Sequence, residues 1–321
     1  MINCEQSLTN FLNLRVMKKI ILPILFTILP TFAFSQGTTV YEILKTPGSP
    51  QISALGGAFY SYQGNISNIF ANPAGLAQLQ SSALMANYSN EVLDFTAGNI
   101  AFAKPFNHGV FGISMRYRDY GEFDRKDEKG NLIGGNFDAY EYVFTGALAQ
   151  KFLDNFTYGL NSKIVIGKVA DARSAALVFD LGGTYTWRNQ NLTFGGGIFD
   201  FGSQINEYSK TREDLPSNAQ IEIGKKLAHL PLTISYNNRY YFYDKEYEFS
   251  VGLQFDIGNS FDFRLSYDST GSDKDLGFGS SKFAGISFGF GITKAGFTFD
   301  YSGTSWGEIG FQNRFGISKT F

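Results

Sequence analysis

The 321-residue chain is 43% hydrophobic and 17% aromatic but only 17% charged, with 33 Phe, 18 Tyr and 36 Gly, whereas an ordinary soluble domain carries about a quarter charged residues. Aromatics over Leu and Ala argue against an all-helical protein, and the lack of an apolar run near the ~20 residues of a spanning helix argues against a helical membrane protein. A net charge of -2, with no basic stripe, gives nucleic-acid binding no electrostatic basis.

The chain opens on a leader. Lys18 and Lys19 precede an apolar stretch from Ile20 to Phe34, and Ala33-Phe34-Ser35 supplies the small residues that a signal peptidase reads. Residues 1–35 are therefore expected to be a signal peptide with its true start at Met17, which exports the protein. Cys4 lies upstream of that cut, so the mature chain is expected to carry no disulfide and no cysteine metal cluster.

Residues 36–81 follow no strand pattern. They carry Pro47-Gly48-Ser49-Pro50, Ala54-Leu55-Gly56-Gly57-Ala58 and Asn72-Pro73-Ala74-Gly75-Leu76. Paired glycines and an Asn-Pro-Ala-Gly turn belong to a compact segment whose backbone bends sharply or approaches another chain. A loose periplasmic tail is the alternative; an N-terminal hatch is favoured.

From residue 82 to 321 about ten alternating residues and a turn recur. In Tyr247–Ile257, Phe249, Val251, Leu253 and Phe255 alternate with Glu248, Ser250, Gly252, Gln254 and Asp256, one set per strand face. Fourteen strands segment this way: Ser82–Asn90, Asp94–Phe106, Gly109–Arg118, Asp138–Phe152, Phe156–Lys168, Ser174–Trp187, Asn191–Phe201, Ala219–Ala228, Pro231–Phe242, Glu246–Ile257, Ser260–Ser269, Lys282–Thr293, Ala295–Ser302 and Glu308–Phe321. Tight turns alternate with long connections at Asp119–Phe137, Gly202–Asn218 and Thr270–Ser281, the asymmetry of a transmembrane barrel. The fold class read here is all-β: a 14-stranded antiparallel transmembrane β-barrel of the outer membrane with an N-terminal hatch. Such a barrel is wider than the eight-stranded size its own side chains fill, so a plug, ligand or water must occupy the lumen. The polar phase places Arg116, Arg118, Glu141, Asp180, Glu248, Asp256, Arg264, Asp300 and Arg314 as lumen charges. The terminal Phe321 is similar to the insertion signal of outer-membrane proteins.

Leu55-Gly56-Gly57-Ala58-Phe59 and Asn72-Pro73-Ala74-Gly75-Leu76 resemble the N-terminal signature of the PorV/PorQ family, relatives of the FadL hydrophobic-compound transporters. Pro50-Gln51-Ile52-Ser53 stands where an Arg commonly precedes the Gly-Gly. The resemblance implies a FadL-like fourteen-strand outer-membrane barrel and, for PorV and PorQ themselves, service in the type IX secretion system of Bacteroidota.

Catalysis has little to work with. His108 and His229 are the two histidines and fall in different turns, Asp180 and Glu222 form at best a weak acid/base pair, and Gly195-Gly196-Gly197 sits inside a strand, where a bend or a close backbone approach is favoured over a phosphate loop. No catalytic residue, metal or cofactor is expected. The main expectation is an accessory subunit of an outer-membrane machine, with outer-membrane lipid and other outer-membrane, periplasmic or surface proteins as partners. The alternative is a FadL-like passive transporter of long-chain fatty acids or other hydrophobic small molecules, with a hydrophobic ligand or lipid in its lumen. Charged lumen faces favour the first, because a fatty-acid route wants an apolar lining.

Overall fold

A computed structural model describes residues 39–127, 129–258, 260–274 and 283–321. The leader and its cleavage site lie outside the described residues. Fourteen antiparallel strands close into one barrel in sequence order, with β1 (Ala83–Asn90) completing the ring against β14 (Phe311–Thr320). Between them run β2 (Thr96–Phe106), β3 (Gly109–Lys126), β4 (Leu132–Leu153), β5 (Phe156–Val169), β6 (Ala172–Trp187) and β7 (Leu192–Asn206), then β8 (Asn218–Lys226), β9 (Leu232–Tyr241), β10 (Tyr247–Ile257), β11 (Phe261–Asp268), β12 (Ile286–Lys294) and β13 (Phe297–Ser305). Closure removes the open edges that would strand backbone groups in lipid.

The period of two decides which side chains meet lipid. On β6, Ser174, Ala176, Val178, Asp180, Gly182 and Thr184 point inward and are buried, while Leu177, Leu181 and Tyr185 are exposed outward. The same phase turns Phe261, Phe263, Tyr267, Phe288, Phe290 and Phe315 outward on β11, β12 and β14, an aromatic-rich band suited to a bilayer.

The wall is uneven. Strands β8 to β14 are 8 to 11 residues long, close to the ~9–11 residues that cross a bilayer. β3 and β4 have 18 and 22 and therefore continue beyond it. This corrects the expected Asp119–Phe137 loop: the strands run on as a two-stranded ribbon that turns at Asp127–Asn131. A register shift follows Asp119, beside Gly121 at φ 77°, and Phe123 stacks on Phe137. Both faces of this ribbon meet water, so no apolar/polar phase marks it in the sequence. β7 likewise extends to Asn206, leaving Glu207–Ser217 as the β7–β8 connection. The Asp127 carboxylate at the ribbon tip is held below its usual pKa by hydrogen bonds from Asn131 and Lys129.

Candidate functional site: a filled lumen with two cavities

Residues 39–82 pack against the inner wall and visit it in nearly reverse strand order. Thr39 begins among the long connections, bridged to Asp214 and hydrogen-bonded to Asp244. Lys45 pairs with Asp244 at 2.9 Å; burial works to lower its pKa, but Glu42 and Asp244 outweigh that and hold it above the ordinary lysine value. Ser49 caps the short helix α1 (Pro50–Ala54) by accepting from the Ile52 amide, and Pro at the first helical position costs no hydrogen bond. α1 lies against β11 to β14, where Gln51 donates to Asp300 at 2.9 Å and Arg314 to Ser53 at 3.1 Å.

Gly56 and Gly57 have φ of 61° and 88°, the left-handed conformation that L side chains avoid. There the chain turns under Ser250, Ser266 and Arg239. Leu55 is fully buried and packs with Ile52 and Phe59. The turn that follows is held by one carboxylate: Glu222 on β8 accepts from the Tyr60 amide (2.8 Å), the Ser61 amide (3.0 Å) and the Ser61 hydroxyl (3.1 Å). Asn72, also fully buried, caps the turn Pro73–Gln78 by accepting from the Ala74 amide and donates to the Gly183 carbonyl. The Gly75 amide donates to the Asn72 carbonyl, and the Gly75 carbonyl accepts from Gly64.

The strands make room for this path with glycine. A Cβ on Gly159 would collide with the Pro73–Ala74 backbone, on Gly182 with Asn72, on Gly195 with Tyr60, on Gly224 with Ser61, on Gly252 with Leu55 and on Gly289 with Ala54. The glycine run on β7 thus includes a place where another segment comes close. Sequence reasoning took Gly252 only as a member of the polar face; glycines recurring in the inward phase of many strands are the signal that a packed segment lies against them. The inner face is also less uniformly polar than the alternation implied. Val143, Val165, Ala176 and Val178 bury Tyr41 and Ile43, and Ala101, Ala103, Val110, Ala147 and Ala149 bury Ile69 and Leu76.

The nine charges assigned to the lumen fall into separate groups. Arg118 and Arg314 share Glu91, at 2.9 and 3.1 Å, and Arg116 donates to the Thr46 carbonyl at 2.8 Å. Arg264 bridges Asp262 and Asp300 (2.5 and 2.8 Å) and donates to Gln254, which donates in turn to Asp256. Asp256 also meets Lys226 at 3.3 Å. Asp180 and Asp200 flank Lys163 at 2.7 Å each. Glu248 pairs with Arg239 at 2.9 Å, and Glu141 accepts from the Ile43 amide and the Tyr120 hydroxyl. Lys163 and Arg239 were legible by phase. Glu91 was not, because it sits in the β1–β2 connection, nor was Asp200, because a bulge against Asp180 turns both Phe199 and Asp200 inward. Phe321 is exposed just past β14, its amide donating to the Ser82 carbonyl. His108 and His229 lie in the β2–β3 and β8–β9 turns.

Two cavities among the described residues bear on the site. One of about 350 Å³ opens toward the long connections and is lined by Thr46, Tyr60, Phe70, Arg116 and Arg314 among others. The other, about 160 Å³, lies toward the short turns beside Ser61, Tyr62, Gly224 and Asp256. Tyr60 borders the first and Ser61 the second, so the turn clamped by Glu222 stands between them.

No family model matches the chain, and neither does any curated protein. Solved structures do. The Pseudomonas putida toluene transporter TodX superposes with a TM-score of 0.59 at 10% identity, over 84% of this chain and 96% of that one. The fold is that of FadL-type outer-membrane barrels. The CymD monoaromatic hydrocarbon channel follows at 0.55 and 10% (85% and 97% covered), and a Pseudomonas aeruginosa FadL homologue at 0.52 and 12% (90% and 99%). All three are transporters, channels or their homologues, and none is described as an enzyme.

Proposed function

We propose that the protein is a passive FadL-like channel of the bacterial outer membrane for small hydrophobic or amphipathic molecules, closed by residues 36–81 acting as its hatch. The observation that carries this is the pair of cavities, one toward each rim, on either side of the clamped Tyr60–Ser61 turn, the arrangement that a gate between two vestibules requires. The alternative expectation, FadL-like passage of a small molecule, thereby replaces the accessory subunit as the leading reading. The accessory role beside PorV and PorQ rests on the resemblance of Leu55–Phe59 and Asn72–Leu76 and on the charged lumen faces; the buried side chains of those two stretches are spent on packing within the N-terminal segment and against the barrel wall. Planar-bilayer recording tests the proposal. Full-length protein should be closed, and deletion of residues 36–80 should open a steady conductance, since a fourteen-stranded barrel is too wide to fill itself. A steadily open full-length protein, or a deletion that inserts and stays closed, refutes the hatch.

A further inference from the structure

The smaller cavity, about 160 Å³, has a wall of hydrogen-bonding groups. Thr193 on β7 stands opposite Gly224 on β8, Lys226 on β8 opposite Thr233 on β9, and Thr233 opposite Gln254 on β10, so their side chains converge on one stretch of inner wall. Asn191, from the β6–β7 connection, joins them, and no Leu, Ile, Val or Ala lines the space; the Tyr62 ring of the hatch is its main apolar surface. Several of the polar groups have nothing to bind. Thr233 is more than nine-tenths buried, yet its hydroxyl, the Thr193 hydroxyl and the Asn191 side-chain amide make no hydrogen bond among the described residues. The charges, by contrast, are spent on each other. Lys226 meets Asp256 at 3.3 Å, and Asp256 also accepts from Gln254 at 2.8 Å. The larger cavity is paired in the same way, with Lys163 between Asp180 and Asp200 and Arg239 on Glu248, so neither wall calls for a charged guest.

We propose that the smaller cavity binds a neutral hydroxylated compound of single-ring size, and that this is the class of passenger the channel admits. A hydroxyl both donates and accepts, so it satisfies Thr193, Thr233 and Asn191 whichever way each turns. A purely apolar guest would displace water from those groups and return no hydrogen bond, which burial penalises. A carboxylate would meet Asp256, and an ammonium would meet Lys226. As for size, a cavity of about 150 Å³ takes up one benzene molecule. The inference narrows the channel reading from hydrophobic or amphipathic molecules to amphipathic ones that carry hydroxyls. It rests on that reading for the passage but on the cavity alone for the binding, which is measured on the full-length protein; an open conductance there would refute the hatch and leave the titration standing.

Saturation-transfer NMR on detergent-solubilised protein measures the binding. Catechol and cis-1,2-cyclohexanediol are the hydroxylated probes, fluorobenzene is the ring without a hydroxyl, and benzoate is the charged ring. At least one hydroxylated probe should bind saturably and at least tenfold more tightly than fluorobenzene and benzoate; the tighter of the two tells whether the body is aromatic or saturated. Thr233→Val and Thr193→Val each remove one hydroxyl with little change of shape, and each, checked for heat-modifiable migration, should weaken that binding at least fivefold. Saturable binding of neither hydroxylated probe, or equally tight binding of fluorobenzene or benzoate, overturns the proposal on the parent protein alone, even where a variant does not insert. An unchanged affinity in either correctly folded variant overturns it as well.

Discussion

Glu222→Ala tests the clamp on the hatch most directly. The carboxylate accepts three hydrogen bonds from the Tyr60–Ser61 turn, at 2.8, 3.0 and 3.1 Å, and hydrogen bonds to a charged group contribute about 1.5–3 kcal/mol each. The gross loss would be roughly 5–9 kcal/mol if the orphaned donors stayed dry. They do not stay dry, because Tyr60 borders the upper cavity and Ser61 the lower one; water entering the space vacated by the carboxylate recovers much of that loss. A net weakening of about 3 kcal/mol follows, which at ~1.4 kcal/mol per tenfold shifts the closed-to-open ratio by roughly a hundredfold. Single-channel recording should therefore show openings about a hundred times more frequent than in the parent protein, approaching in amplitude those of the protein lacking residues 36–80. Glu222→Gln keeps one acceptor oxygen and should fall between the two. An opening frequency within about threefold of the parent, in Glu222→Ala protein that migrates as a folded barrel, would refute the assignment of this turn as the gate.

The Ser61 and Ser235 hydroxyls lie 3.4 Å apart, so Ser61→Cys with Ser235→Cys should form a disulfide that locks the turn to β9; oxidised protein should stop probe entry in proteoliposomes and reductant should restore it, whereas equal entry in both states counts against gating here. Gly182→Leu forces a side chain into Asn72, and overpacking of this kind costs about 1–3 kcal/mol. Its signature should be hatch-specific: protease sensitivity within residues 39–80 rises while the barrel's heat-modifiable migration is kept, and loss of the barrel itself would mean that the glycine serves the sheet rather than the hatch. Deleting Phe321 should lower the amount of protein assembled in the outer membrane, measured by membrane fractionation; normal levels would leave the terminal aromatic without an insertion role.

The barrel was legible because lipid imposes a phase. Every strand that crosses a bilayer must send alternate residues outward as apolar groups, and β10 or β11 shows that alternation over its whole length. Where the environment ceases to differ between the two faces, the signal ends. The β3–β4 ribbon past Asp119 is wet on both sides, so its Phe123 and Phe137 read as loop residues although they stack across a ladder. The bulge at Phe199–Asp200 breaks the phase in another way, since one inserted residue turns an acid inward that strict alternation would send to lipid.

The candidate site was legible only in fragments, for a reason that lies in the barrel's geometry. Alternation says that Arg116, Arg118 and Arg314 face the lumen, but strands β3 and β14 are separated by β1 and β2 and by nearly two hundred residues of sequence, so nothing in the spacing announces that they share one wall. Glu91, which Arg118 and Arg314 share, lies in a connection, where no phase exists. The hatch carries the opposite lesson. Its own residues are a string of turns with no periodicity, yet its path is written on the wall it touches, in inward-phase glycines on β5, β6, β7, β8, β10 and β12 that leave space where a side chain would fill the lumen. A barrel meant to stay open has no reason to remove inward side chains from so many strands. A barrel built around an internal segment does, because each missing Cβ lets the segment's backbone or side chains approach the wall and raises the packing density where the segment lies. Gly56 and Gly57 supply the matching freedom from the hatch side, turning it back beneath Arg239 at φ values a side chain would resist.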